Sequence, residues 1–166
     1  MSREINLYEN KLRFNIEDEF VDMEPDECRQ YFSGQTPEKI FSIPEKKAFI
    51  TVMRSGNRLE PPETEKRLNE YYYAYSRSAA NFSNGKMVKR ELNNGDAMGV
   101  FHFGSTTVER NLLNFFALLS VDGQEVIMTL HCAAEDSMRL GKEFVKTLDS
   151  VQVDYEGSGN GYFFYK

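Results

Sequence analysis

The residues in this chain best suited to chemistry are two histidines, two cysteines and one run of three acids. His102 and His131 both sit in apolar segments that alternate with period two, so both are expected inside strands, two strands apart in a meander. A metal centre would need three or four His, Cys, Asp or Glu ligands, and the sequence supplies no such cluster. His131 and Cys132 are neighbours on one strand, so their side chains leave on opposite faces and cannot pair as base and nucleophile. Cys28 falls on a short N-terminal helix, and both cysteines read as reduced, buried thiols. Glu17-Asp18-Glu19 could supply a general acid and base only if a cleft separated two of their pKa values. A consecutive run reads instead as a solvated edge. Glu24, Asp26 and Glu27 suit the positive end of a helix dipole.

Neither a Gly-x-Ser-x-Gly elbow nor a glycine-rich phosphate loop is present. Gly157, Gly159 and Gly161 alternate too near the end for a phosphate-binding helix to follow. The sequence therefore assigns no catalytic residues, no cofactor and no metal.

Aromatic residues stand out more than titratable ones. Leu68, Tyr72, Tyr75, Ala79 and Phe82 make one helical stripe, with Tyr71 at its boundary and Tyr73 pointing away. Tyr162-Phe163-Phe164-Tyr165 follows the glycine-rich stretch from Glu156 to Gly161. An aromatic ring with a polar tip is a common interface anchor. Tyr73, Tyr162, Phe163, Phe164 and Tyr165 are thus the candidate partner-binding residues. The tail is expected to be ordered against protein, either on its own domain, covering an apolar groove or adding an edge strand, or docked on another chain.

The elements that position these residues form one domain over residues 1–154, with residues 155–166 as a tail. Of 166 residues 40% are hydrophobic and 28% charged, which is ordinary for a globular chain. The net charge of −6 lacks the cationic face that phosphate binding needs. Lys86, Lys89 and Arg90 form the nearest basic cluster, offset by Glu91. Nucleic acid and anionic membrane are therefore not expected partners. Met1 to Glu9 has no apolar signal region, and no run of 18 apolar residues occurs. A cytoplasmic location is the expectation.

Period-two segments predict strands around Ile5–Leu7, Leu12–Ile16, Lys39–Ile43, Ala48–Met53, Met87–Leu92, Met98–Gly104, Arg110–Val121 and Glu125–Ala133. Ser55-Gly56-Asn57 should end the fourth of these. Asp122-Gly123 is the strongest turn signal, since a two-residue hairpin demands positive φ. The Arg110–Val121 strand is apolar on both faces and calls for layers above and below it. A short helix runs from about Glu24 to Phe32, where Ser33-Gly34 breaks it. The longest helix opens at Pro61-Pro62, carries a Glu63–Arg67 pair, and stops at Asn84-Gly85. A last helix spans about Glu135–Ser150, with Met138, Gly141, Val145 and Leu148 as its stripe and Leu140 and Phe144 widening it. Gly141 implies close packing of that helix on the sheet. Val151–Val153 returns as a short strand. The product is an α+β fold, an antiparallel sheet of about seven strands with helices packed on it as an α/β/α sandwich.

This order of elements resembles the PsbP-like superfamily, which includes the photosystem subunit PsbP, the yeast Ran guanine-nucleotide-release factor and the DcrB-like proteins. The resemblance spans Leu12 to Val153. It rests on Phe14-Asn15-Ile16, Ala48-Phe49-Ile50-Thr51-Val52 and the long helix after it. It rests also on Phe101-His102-Phe103, Asp122-Gly123-Gln124-Glu125 with Val126–Cys132, and Thr147-Leu148-Asp149-Ser150-Val151. Where DcrB-like chains carry Pro and Trp, this chain reads Glu17-Asp18-Glu19-Phe20 and has no Trp at all. The resemblance implies an antiparallel sheet between helices and a protein-docking role, and it brings no catalytic residues. The functional expectation is a non-enzymatic accessory or adaptor protein with a protein partner or a homo-oligomeric contact. The alternative is a ligand carrier or enzyme with an aromatic-lined pocket between sheet and helix, using His102 or His131.

Overall fold

The structure is a computed structural model, and it describes residues 1–28 and 37–154. Among the described residues, ten strands form two antiparallel sheets. The larger sheet has seven strands in the order β3 (Val21–Asp22), β4 (Lys39–Ile43), β5 (Ala48–Arg58), β9 (Gln124–Ala133), β8 (Asn111–Val121), β7 (Ala97–Thr106) and β6 (Ser83–Glu91). The smaller sheet joins β1 (Ser2–Leu7), β2 (Leu12–Glu17) and β10 (Gln152–Val153). The expected strand number holds, but its membership differs. The N-terminal hairpin leaves the main sheet and pairs with the C-terminal strand, Arg13 opposite Gln152.

The hairpin at Asp122-Gly123 forms as its residues dictate. Both adopt positive φ, at 56° and 76°, and Val121 faces Gln124 across the two-residue turn. Other local signals are used differently. Gly56, at φ 93°, sits in a bulge that lets β5 continue to Arg58, so the Ser55-Gly56-Asn57 stretch bends the strand and does not end it. Helix α2 (Thr64–Ser78) stops before Ala79, whose extended ψ of 134° breaks the ladder. Asn84-Gly85 therefore lies in β6 and not at the helix end. Gly85 is needed there for space, because a Cβ would collide with the Tyr72 hydroxyl and come within 2.8 Å of the Phe82 ring. The expected break at Ser33-Gly34 and the helix end at Phe32 lie outside the described residues. The described part of that helix, α1, covers Pro25–Cys28.

Strand β8 divides the interior, as its two apolar faces require. Phe115, Ala117 and Leu119 face a core shared with Phe14 and Ile16 of β2 and with Leu140, Phe144 and Leu148 of α3 (Ser137–Asp149). Phe116 and Leu118 face a second core with Leu68, Phe101 and Phe103, covered by Tyr71, Tyr72 and Tyr75 of α2. The rings stack closely there: Phe101 lies 4.9 Å from Phe116 and 5.3 Å from Tyr72, centroid to centroid. Helix α2 thus covers one face of the large sheet. Helix α3 and the small sheet cover the other. The α2 stripe matches its sequence period. The α3 stripe holds in part: Gly141 and Leu148 are buried with the flanking Leu140 and Phe144, but Val145 is half-buried and Met138 is 78% exposed.

Candidate functional site

The histidines are held apart by the sheet itself. His102 on β7 stands opposite Phe115, and His131 on β9 stands opposite Asn114, so the two rings project from opposite faces. The His131 Nδ1 lies 2.8 Å from Asn114 Oδ1. Asn114 Nδ2 donates to Ser105 Oγ at 2.8 Å. Nδ2 also donates to the Phe103 carbonyl at 3.4 Å, which can only accept, so Oδ1 is the acceptor and Nδ1 of His131 carries the proton. Burial lowers the pKa of His131 to about 4 and leaves the ring neutral. His102 is also lowered, by burial and then by the ammonium of Lys86 beside it.

Cys132 faces the core on the opposite side from His131, and burial raises its thiol pKa to about 11, against thiolate chemistry. Among the described residues, no group of three or more His, Cys, Asp or Glu could hold a metal ion. The three acids of Glu17-Asp18-Glu19 do not pair with one another, but Glu19 hydrogen-bonds Glu143, whose pKa is raised by burial and by that contact while Arg139 holds that of Glu19 low. Glu17 meets the N-terminal ammonium at 3.7 Å, Asp18 meets Arg3 at 3.8 Å, and Glu19 meets Arg139 at 2.5 Å.

One buried charge was not legible as such in the sequence. Glu125 is fully buried at the start of β9. Arg67 Nη1 donates to its Oε2 at 2.6 Å, and the Tyr71 hydroxyl donates to its Oε1 at 2.7 Å. Burial pushes this carboxyl up, but the hydrogen bonds from Ser55, Tyr71 and Arg67 outweigh it and hold the pKa below the usual range. The expected Glu63–Arg67 helix pair does not form. Glu63 turns back to cap the preceding turn, accepting from the Glu60 N–H at 3.1 Å, and Arg67 is thereby free to reach the sheet. The network fastens α2 to β9, with the Glu125 carboxylate directed inward and the Arg67 guanidinium reaching out as far as Glu70, 3.6 Å from its Nε.

Two of the surface clefts lined by the described residues bear on binding. The first, of about 430 Å³, lies between the β1–β2 loop and the β8–β9 turn. Its charges are already matched: Lys11 meets Asp122 at 2.9 Å, and Arg54 meets Glu38 at 2.8 Å while covering the Tyr8 ring. The second, of about 590 Å³, is an open groove between the flank of α3 and strands β7 and β8. Leu113, Phe115 and Gly141 form its floor, and Met138, Val145 and His102 line its sides. Gly141 does not serve close packing as expected. An added Cβ would sit 3.5 Å from Leu113 and 3.6 Å from Phe115, which is ordinary contact. The groove exists because α3 carries a wider apolar stripe than the sheet covers, and the surplus flank is left in solvent. That width, six apolar or glycine positions on a thirteen-residue helix, is the sequence signal that could have found it.

Tyr73 is 61% exposed on α2, with its ring edge-on to Tyr72. It lies on the opposite side of the sheet from the groove. Tyr162, Phe163, Phe164 and Tyr165 lie outside the described residues. Of the aromatic-lined pocket expected between sheet and helix, the space under α2 is filled by the rings themselves, and the open apolar surface, with Phe115 and His102 in its lining, lies between the sheet and α3.

Among the described residues, no helix is long and apolar enough to cross a membrane. No family model matches the sequence, and neither does any curated relative. Solved structures do match. The cyanobacterial PsbP protein (CyanoP) of Synechocystis aligns with a TM-score of 0.54 at 13% identity, over 92% of each chain. A protein of unknown function from Pseudomonas aeruginosa aligns at 0.55 and 15% identity, over 88% of this chain and 94% of its own. LpqN of Mycobacterium tuberculosis, involved in cell envelope biogenesis, aligns at 0.58 and 9% identity, over 93% and 91%. At these identities the likeness is one of fold, and this chain has the α+β fold of the PsbP-like proteins.

Proposed function

We propose that this protein is a non-enzymatic accessory protein that binds another protein through the groove beside α3. The observation that carries the reading is the groove itself. It places an exposed methionine, a half-buried valine and an aromatic floor together on a face where α3 leaves the sheet uncovered. Met is adaptable and recurs at protein-binding surfaces. A concave, largely apolar surface with few polar groups is the usual form of a docking site. The inward commitment of Glu125, the neutral state of His131 and the high thiol pKa of Cys132 agree with a role in binding.

The test is site-specific photocrosslinking in the native host. A photoreactive side chain replaces Met138 in one variant and Val108, an equally open residue away from the groove, in another. A discrete adduct is expected from position 138 and not from 108. It should vanish when Val145→Asp is added. Identical adducts from both positions, or an adduct indifferent to Val145→Asp, would rule out the groove as the docking surface.

A further inference from the structure

We infer that the groove beside α3 takes a short acidic segment with apolar anchors. This rests on the docking reading above and names the chemistry of the partner. The argument is charge complementarity. The chain as a whole carries −6, yet the groove is rimmed by cations. Lys142 and Lys146 lie one helical turn apart on α3 and both line the groove. Lys86 stands on β6 directly opposite His102, and its charge is felt by that ring at the groove's other wall. None of the three pairs with a described carboxylate, whereas Lys11, Lys39, Lys46 and Lys89 all do. Ammonium groups on two walls above an apolar floor fit a ligand with apolar side chains facing down and carboxylates facing both sides.

The dimensions suit a short segment. Met138 to Lys146 spans nine residues of α3, about 12 Å along its axis. That is room for about four residues of extended chain or two turns of helix. A flat anionic membrane fits less well, since the molecule is acidic, with a net charge of −6.

The experiment is titration of the full chain, with its Met methyl groups observed by NMR, against two synthetic peptides. Both carry Leu and Phe anchors; one is spaced by Glu and the other by Lys. The Glu peptide is expected to shift the Met138 methyl saturably and to bind more weakly as salt rises. The double variant Lys142→Glu, Lys146→Glu should weaken it about tenfold, the worth of a few surface charge pairs changed from attraction to repulsion. Lys142→Arg with Lys146→Arg should retain it.

Equal binding of both peptides at Met138 would overturn the acidic-partner inference and leave the docking reading standing. No shift at Met138 from either peptide would overturn both. Binding to vesicles of mixed neutral and anionic lipid, with Met138 shifted there and not by peptide, would assign the groove to a membrane and overturn the inference. A Met138 shift in the apo protein when Tyr162, Phe163, Phe164 and Tyr165 are all changed to Ser would place the chain's own tail in the groove, with the same consequence.

Discussion

Replacing His131 with glutamine should flatten the dependence of stability on pH between about 7 and about 5. His131 is half-buried and neutral, with its Nδ1 proton directed to Asn114 and its pKa lowered by desolvation to about 4. In the unfolded chain the same ring titrates near about 6.5. Between these two values the unfolded state binds the proton and the folded state does not. Stability therefore falls as pH drops through this window, and the loss is complete only below the folded pKa. The full gap corresponds to roughly 3 kcal/mol, of which about 2 kcal/mol should accumulate between about pH 7 and pH 5. Glutamine keeps an amide donor for Asn114 but has no proton to gain. The assay is urea denaturation of both proteins at several pH values across the window, read as the difference in their pH slopes. Glu125 and Glu38 are carboxyls held low, so their losses fall at more acidic pH and do not enter. The contribution of His102 is common to both proteins and cancels in the difference. If both proteins show the same slope, or if NMR titrates His131 near the usual histidine value, the neutral assignment is refuted.

Removing one partner of the Arg67–Glu125 pair, by Glu125→Gln or Arg67→Met, should cost about 3–5 kcal/mol in chemical denaturation. The double change Arg67→Met, Glu125→Leu should cost clearly less than either single change, because no unpaired charge stays buried. The same carboxyl, held low by its partners, stabilises the fold above its unfolded pKa and loses that contribution as acid drives the pH through the folded value. A urea series at decreasing pH should show this further loss in the parent and not in the Arg67→Met, Glu125→Leu double variant. Gly141→Ala should raise stability by about 0.5–1 kcal/mol, since the helix gains propensity and the new methyl meets only ordinary contacts. Gly99→Ala should lower it by about 1–3 kcal/mol, because its Cβ would lie 2.8 Å from Leu68 under α2. Thermal melts of the two glycine variants side by side check both signs.

Local chemistry was enough to specify much of the scaffold. Asp122-Gly123 dictated its own turn through positive φ, and the period of Leu68, Tyr72 and Tyr75 placed α2 on the sheet. The two apolar faces of Leu112–Leu119 called for layers above and below, and the sheet has them. Adjacent positions on one strand separate His131 from Cys132 whatever the rest of the sheet does. What the sequence left open depends on partners distant along the chain. The N-terminal hairpin reads as a period-two strand pair whichever sheet it joins, and only contact with Val153 across 141 positions assigned it to the small one. Arg67 had a nearby acid in Glu63 and a distant one in Glu125, and the cap at Glu60 decided between them. The stripe on α3 was wide enough to be centred on Met138 and Val145 or on Leu140 and Phe144. Tertiary packing chose the second, and so left the first as one wall of the groove. The candidate site was thus legible only as excess apolar width on a helix. Its position, and the lysines that rim it, came from the way that helix lies beside β7, a relation that no local pattern encodes.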